Sequence, residues 1–286
     1  MIQTSRYSLI GILLFICAFY TAPTIAAAKP LILAIHPYLP VPEIRRRFGP
    51  FASYLSHQLG REVNIRIGGN YEEHIEVIGK NQVDIAFLGP AGYVSVISRY
   101  GKKPLLARFE VNNNPYLYGV IATRKDSKLK TIAELKNRSF AFGDPESTMS
   151  HLVPRYMLLQ AGIPRGAPAK FKFLGSHKNV AIAILAGDFD AGAMKKEVFD
   201  EFKPKGLRAL AVTPGVPDHV FVTRSNMPAK EVERIRHAVL DLVNQPDGAK
   251  ILKMMHKHLT ALVPAKNEDY NQLREMINSV ESVIRQ

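Results

Sequence analysis

Hydroxyl side chains are concentrated at one point of this sequence. Ser147, Thr148 and Ser150 fall within Gly143-Asp144-Pro145-Glu146-Ser147-Thr148-Met149-Ser150-His151-Leu152-Val153-Pro154. The stretch follows Ser139-Phe140-Ala141-Phe142, which reads as a short strand, and precedes Arg155-Tyr156-Met157-Leu158-Leu159-Gln160-Ala161, which reads as a helix. Where a strand hands over to a helix, the first N–H groups have no partner inside the helix, and the helix dipole adds partial positive charge. Hydroxyl donors at such a junction suit a small oxyanion. Pro154 fits a first helical turn, where its missing N–H removes no bond. Ser147 or Thr148 alone would serve equally well as a plain N-cap; their clustering with Ser150 is what points to a ligand.

Three further junctions carry comparable groups: His36-Pro37-Tyr38-Leu39-Pro40, Gly89-Pro90-Ala91-Gly92-Tyr93 and Gly175-Ser176-His177-Lys178-Asn179. In open α/β sheets ligands bind beyond the carboxyl ends of the strands, where such loops gather. Ser147, Thr148 and Ser150 can donate from one side of a cleft and Tyr71 and Tyr93 from the other. His177 can add charge or a hydrogen bond, or simply cap its own helix. Tyr93 and Tyr116 also read as packing residues with a polar tip, and His151 as a surface residue of the first helical turn.

The elements that must position these groups alternate between strand and helix. Leu31-Ile32-Leu33-Ala34-Ile35 reads as a strand, and residues 40–59 as a helix with Phe48, Phe51, Ala52, Leu55 and Leu59 at spacings of three and four. Val63-Asn64-Ile65-Arg66-Ile67 is a second strand, residues 71–79 a short helix, residues 83–88 a third, buried strand, and residues 91–100 a helix after the Gly89-Pro90 turn. This βαβαβ rhythm predicts a mostly parallel sheet with helices on both faces. A second unit of the same kind runs through Ser139–Phe142, a helix from Ser150, Phe171-Lys172-Phe173-Leu174, a helix over 178–186 and Phe189-Asp190-Ala191-Gly192-Ala193. Tyr118-Gly119-Val120-Ile121-Ala122-Thr123-Arg124 and His219-Val220-Phe221-Val222-Thr223-Arg224 flank it, each a β-rich run ending in Thr-Arg. They read as paired crossovers, with hinge strands at 119–124 and 219–224; two ordinary strands of a single sheet are the plainer alternative. The helical segments 229–243, 247–255 and 267–284 are expected to pack back on the first lobe. The resulting division is lobe 1 over 29–118 and 225–286, and lobe 2 over 125–218.

The first 28 residues read as a leader. Arg6 gives a basic start, residues 9–20 are a nearly unbroken apolar run too short to favour a stable span, and Ala26-Ala27-Ala28 has the A-x-A form of a cleavage site. A secretory signal peptide cut after Ala28 is expected, and with it an exported, periplasmic protein. Cys17 is the single cysteine of the 286 residues, so the chain beyond the leader has no thiol chemistry. The formal net charge of +13 is compatible with an anionic ligand, a membrane surface or nucleic acid. No nucleic-acid-binding module is visible, and no second long apolar run follows the leader.

Several segments resemble one family. Val83-Asp84-Ile85-Ala86-Phe87-Leu88-Gly89-Pro90-Ala91-Gly92-Tyr93-Val94 resembles the V-D-I/V-A-F/W-L/F-G-P-x-x-Y-V motif of the phosphonate-, phosphite- and phosphate-binding proteins of ABC transporters, the PhnD type. Thr123-Arg124-Lys125-Asp126-Ser127 is similar to that family's hinge and R-K-D-S turn, and Leu135-Lys136-Asn137-Arg138 to its D-L-K-G-K segment. Asp144-Pro145-Glu146-Ser147-Thr148, with Leu152 and Pro154, is similar to D-P-x-S-T-S-G-x-L-x-P. Gly175-Ser176-His177 matches G-S-H, and Phe189-Asp190-Ala191-Gly192-Ala193 resembles V-D-A-G-A. The likeness runs in order through nearly all of the chain beyond the leader. It implies a two-lobed type II periplasmic binding protein fold, each lobe a mixed, mostly parallel sheet flanked by helices, closing on its ligand about a hinge.

By the same resemblance Ser147 and Thr148 would hold the oxyanion head, His177 would donate to it, and Tyr71 would be a pocket tyrosine. A second pocket tyrosine maps to Tyr116 or Tyr118. The sequence departs from the family where S-G would follow S-T: Met149 and Ser150 stand there, then His151. Beyond Ala193, Met194-Lys195-Lys196-Glu197 suits an acidic substituent or a solvated helix. The implied function is capture of a phosphonate, phosphite or phosphate and delivery to an inner-membrane ABC permease, by a monomer that needs no cofactor and binds no nucleic acid. An extracytoplasmic sensor signalling to a membrane receptor or kinase is a second reading, raised by Met149-Ser150-His151. A hydrolase using Ser147 and His151 is a third, weakened because no G-x-S-x-G elbow or orienting acid accompanies them. His256 and His258, two apart, are poorly spaced for a metal.

Overall fold

Strand Ile85-Ala86-Phe87-Leu88 is buried at all four positions, and its alternating side chains enter two different cores. Ile85 and Phe87 join one apolar cluster with Phe48, Phe51 and Phe221, whereas Ala86 and Leu88 join another with Ile75, Ile78 and Val94. A strand whose two faces are both buried must be central in a sheet covered on both sides. The same holds in the second lobe: Val120, Ala122 and Met194 face one cluster, and Ile121, Phe140, Phe142 and Ala193 the other.

The computed structural model describes residues 29–164 and 170–284, so the expected leader over 1–28 lies outside the described residues. In chain order the elements are β1 (Leu31–Ile35), α1 (Val41–Leu59), β2 (Val63–Ile67), α2 (Tyr71–Gly79), β3 (Ile85–Leu88), α3 (Pro90–Tyr100), β4 (Leu105–Val111), β5 (Tyr116–Leu117) and β6 (Gly119–Arg124). They continue with β7 (Ser139–Phe142), a π-helical turn (Thr148–Leu152) leading into α4 (Val153–Gln160), β8 (Lys170–Phe173), α5 (His177–Ala186), β9 (Ala191–Lys195), α6 (Lys196–Phe202), β10 (Leu207–Val212), β11 (Val216–Pro217) and β12 (Val220–Thr223). The last are α7 (Ala229–Leu240), α8 (Gly248–Met255), β13 (Leu259–Val263) and α9 (Asn271–Ile284). Among the described residues no helix is long and apolar enough to cross a membrane.

One sheet has the order β13-β4-β12-β3-β1-β2 and the other β10-β6-β9-β7-β8. In the first, β2, β1 and β3 are parallel and β12 runs against β3 and β4. In the second, β8, β7 and β9 are parallel and β6 runs against β9 and β10. Each sheet is therefore a parallel βαβ block extended by antiparallel strands, the two-lobed arrangement the sequence led us to expect.

The crossovers lie elsewhere than expected. Residues 119–124, and 220–223 of the expected 219–224, lie inside the sheets, as β6 in the second and β12 in the first. The chain changes sheets through β5 and β11, which pair antiparallel as Val216↔Leu117 and Pro217↔Tyr116. Gly119 N–H donates to Thr213 Oγ1 (2.8 Å), and Asp218 N–H donates to the Pro115 carbonyl (3.0 Å), tying the two passages together. The physical reason is burial: fully apolar runs such as Val220-Phe221-Val222 belong inside a sheet, and the short polar, proline-containing segments beside them make the turn.

Helix α9 packs on the first lobe, as expected, and reaches the second as well. Leu273, Met276 and Ile277 share an apolar cluster with Met149 and Val153 of the second lobe. Within that lobe β9 must lie close to β7, and Gly192 permits it: a Cβ there would stand 2.7 Å from the Ala141 carbonyl oxygen and 2.7 Å from Val180 Cγ1. Gly192→Ala is expected to destabilise the protein by about 1–3 kcal/mol through overpacking. An unchanged urea midpoint would show that the strands can part without cost.

Candidate functional site

The loops at the carboxyl ends of both sheets meet in one cleft. From the first lobe it is lined by His36 and Tyr38 after β1, Tyr71 and His74 on α2, and Leu88, Gly89, Pro90 and Gly92 at the β3–α3 junction. From the second come Glu146 to Met149 before α4, His177 at the start of α5 and Lys195 at the end of β9. Leu117 and His219 complete it from the crossover region. The cavity is about 40 Å³, where roughly 10–15 Å³ suffices for a single water, so it suits a solute of a few heavy atoms.

Local sequence explains the position of each donor. Ser147 Oγ accepts the Ser150 N–H (3.2 Å), capping the turn that leads into α4. Thr148 Oγ1 accepts the Ala91 N–H (3.0 Å). That bond crosses the cleft, because Ala91 lies in the first turn of α3, whose N-cap Gly89 has no side chain to serve it. Ser176 Oγ caps α5 by accepting the Asn179 N–H (3.2 Å), leaving His177 directed at the cleft. His177 Nδ1 accepts the Lys195 N–H (3.0 Å), so the ring proton sits on Nε2 and is available for donation.

Four histidines line the cleft, and burial holds all of them toward the neutral form. His177 is pushed down to about 3, with Lys195 and His219 adding to the effect. His219 and His74 are pushed down to about 4, again chiefly by burial, and His36 lies well below its ordinary value for the same reason, reinforced by the neighbouring histidines. His74 Nε2–H donates to the Phe87 carbonyl (3.0 Å). His219 Nδ1–H donates to Asp218 Oδ1 (2.6 Å), which turns its Nε2 lone pair toward Lys195 Nζ (3.5 Å). Tyr38 is raised to about 12 by burial, against the opposing pull of Arg47. Tyr71 is raised further, by burial and then by Asp144 and Tyr38. Both phenols are neutral donors at pH 7. Glu146, the carboxyl of the lining, is pushed up by burial and by Glu72 and Asp144. Among the described residues no three His, Cys, Asp or Glu side chains are arranged to hold a metal ion.

Of the expected site residues, Ser147, Thr148, His177 and Tyr71 come together in the cleft; four do not. Ser150 is fully buried and its Oγ–H donates to the Ala193 carbonyl (2.6 Å), tying the hydroxyl-rich loop to β9. Tyr93 turns away, its ring 4.6 Å from that of Tyr270 and its O–H donating to Asn267 Oδ1 (3.1 Å). Tyr116 is exposed beside the Arg108 guanidinium. The Tyr118 ring lies so close to Gly215 that a Cβ there would stand 2.9 Å from it. In extended chain successive side chains alternate, so Leu117 is the residue of the three that enters the cleft.

The sequence reading missed His74 and His219 and left Tyr38 and His36 as unassigned members of a junction. His74 follows Tyr71 by three positions on α2, one helical face, and that spacing was a usable signal. His219 has none: only the return crossover carries it into the cleft. Ser150 and His151 are absorbed by packing, and Met149 packs as well as lining the cleft. Met149 is buried against the crossover, its sulfur accepting from Thr213 Oγ1–H (3.5 Å), and His151 Nδ1 faces the Pro145 carbonyl (2.6 Å).

Comparison with known proteins bears on this geometry. A family model described as the periplasmic substrate-binding protein of phosphonate ABC transporters matches residues 33–270. A probable ABC transporter phosphite binding protein from Prochlorococcus marinus (strain MIT 9301) is 26% identical, over 95% of this chain and 96% of its own length. Among solved structures, XAC2383 from Xanthomonas citri bound to chloride ion has a TM-score of 0.78 at 20% identity, over 90% of this chain and 99% of its own. PhnD1 from Prochlorococcus marinus in complex with methylphosphonate has a TM-score of 0.77 at 24% identity, over 88% and 98%.

The neutral histidines make stability depend on pH. Below about 6.5 an unfolded chain takes up protons on these rings, whereas folded His74 and His219 do so only near 4. The unfolded state then binds more protons, so stability present at pH 7 is lost as pH falls through that window. At pH 5 the loss is expected to be on the order of 1–2 kcal/mol per ring. Urea midpoints at pH 7 and pH 5 check this, and His74→Gln should flatten the dependence; equal midpoints in the parent protein would mean that the rings are not held neutral.

Proposed function

Because this chain belongs to the periplasmic substrate-binding proteins of phosphonate ABC transporters, we propose that its cleft captures a small phosphorus oxyanion and that the loaded protein delivers it to the cognate permease. The ligand class is a phosphonate, phosphite or phosphate. The observation that carries this reading is the convergence of Ser147, Thr148 and His177 from one lobe with Tyr71 and the first turn of α3 from the other. Uncharged donors on both walls suit a tetrahedral group whose oxygens point in several directions, and Lys195 supplies positive charge beside them. An oxyanion entering between the lobes would compete with Thr148 Oγ1 for the Ala91 N–H and take the Thr148 hydroxyl as a donor. Both walls then hold the same ligand, which favours the closed arrangement.

The protein works by binding without turnover. Ser147 Oγ is engaged with the Ser150 N–H and His151 Nδ1 faces a carbonyl, which gives no support to a serine nucleophile. Of the residues that raised the sensor reading, Ser150 and His151 pack within the loop and its neighbouring strand, while Met149 lines the cleft. The chain acts as a monomer. Residues 1–28 are its export signal, and the mass of the protein recovered from the periplasm should correspond to a chain beginning at Lys29.

Calorimetric titration with phosphate, phosphite, methylphosphonate, sulfate and taurine tests the proposal. Saturable binding of at least one phosphorus oxyanion is expected, and binding of none of them would end the reading. Thr148→Val keeps the shape and removes the hydroxyl; it should weaken that ligand by about 1–3 kcal/mol, roughly 5- to 150-fold. An unchanged dissociation constant would remove Thr148 from the binding contacts.

A further inference from the structure

Among the described residues Lys195 is the only lysine or arginine that lines the cleft; the other titratable groups there are histidines, tyrosines and Glu146. We propose that Lys195 determines specificity by charge, making the cleft select a doubly charged oxyanion over a singly charged one of the same shape. The inference rests on the oxyanion reading above and goes past it, from the shape of the ligand to its charge.

The surroundings of Lys195 hold the ammonium in place without neutralising it. Its Nζ lies 3.5 Å from His219 Nε2 and 5.7 Å from the centre of the Tyr38 ring. His219 is fixed by Asp218, 2.6 Å away on the other side of the ring, so the imidazole presents a lone pair and no proton to the lysine. The charged groups nearby are occupied with partners of their own. Asp218 holds His219; Glu197, at the start of α6, holds His256 Nε2 (2.9 Å); and Arg47 of α1 holds Glu43 (2.7 Å). Among the described residues Lys195 forms no salt bridge. His177, from α5, accepts the Lys195 backbone N–H and contributes a neutral ring. Burial lowers the affinity of the ammonium for its proton, and the charges of Asp218 and Glu197 oppose that; an incoming anion would oppose it further.

Neutral donors cannot read charge. Hydroxyls, N–H groups and an imidazole N–H satisfy the three oxygens of a phosphonate and of a sulfonate alike, since both groups are tetrahedral and of similar size. A partly buried ammonium distinguishes them, because its attraction grows with each negative charge on the ligand and is weakly screened in the cleft.

The test uses an isosteric pair, methylphosphonate and methanesulfonate, titrated calorimetrically at a pH where the first carries two charges. The parent protein should prefer methylphosphonate on the order of 100-fold. In Lys195→Met the preference should fall to roughly tenfold or less, by loss of methylphosphonate affinity with little change for methanesulfonate. Lys195→Gln, which keeps a donor and removes the charge, should behave in the same way and guards against misfolding of the first variant, as do matching circular dichroism spectra. A preference unchanged in both lysine variants, or equal binding of the pair by the parent protein, overturns the charge rule while leaving the oxyanion reading intact. No binding of methylphosphonate, phosphite or phosphate by the parent protein overturns both.

Discussion

Both sheets of this protein are covered on both faces, and that constraint governs where anything polar can be recognised. Strands β3 and β12 send alternate side chains into two separate apolar clusters, and β6 and β9 do the same in the second lobe. Interior strands spend their backbone N–H groups on one another. The donors of this cleft lie where strands end and helices begin, and the two lobes bring those ends face to face. The hydrogen bond from Ala91 N–H to Thr148 Oγ1 marks the line along which they meet.

Within the cleft, burial sets the charge state and hydrogen bonding sets direction. Four imidazoles close together would repel one another if protonated; burial keeps them neutral. Their partners then fix which nitrogen carries the proton. The Lys195 N–H turns His177 into an Nε2 donor, and Asp218 turns His219 into an Nε2 acceptor. The site is thereby pre-organised: its donors are oriented by the protein before a ligand contributes anything.

The loop from Gly143 to Pro154 shows how one segment divides its labour. Ser147 and Thr148 face the cleft, Ser150 pins the loop to the Ala193 carbonyl, and Met149 fills the apolar contact between the lobes. Gly143 allows the close fit, since a Cβ there would stand 2.4 Å from Ser150 Oγ. Of the methionine and histidine that stand among these hydroxyls, the histidine packs against Phe142 and Phe173 and the methionine both packs and lines the cleft. The two lobes therefore meet through apolar contact at Met149 as well as through polar contact in the cleft.

Much of the fold was legible because periodicity and turn chemistry are local. Strands β1, β2 and β7 and helix α2 fall where alternation and the 3.6-residue period put them. Ser147, Thr148, His177 and Tyr71 were readable because each sits at a helix start, which a sequence announces. Strands β4, β10 and β13 went unread, since their pairing partners are distant in the chain and lend the sequence no local mark. For the same reason sequence alone could not place the crossover at Tyr116–Leu117 and Val216–Pro217, nor exclude Tyr93. The direction of a side chain is a property of what packs around its element: Tyr270 draws Tyr93 away from the cleft. His219 and Lys195, 24 positions apart, become neighbours because β9 and the start of β12 end at the same seam. The sequence determined which elements form and which junctions carry donors. Tertiary structure decided which of those donors share one space, because that depends on strand order, and strand order is set by burial over the whole chain.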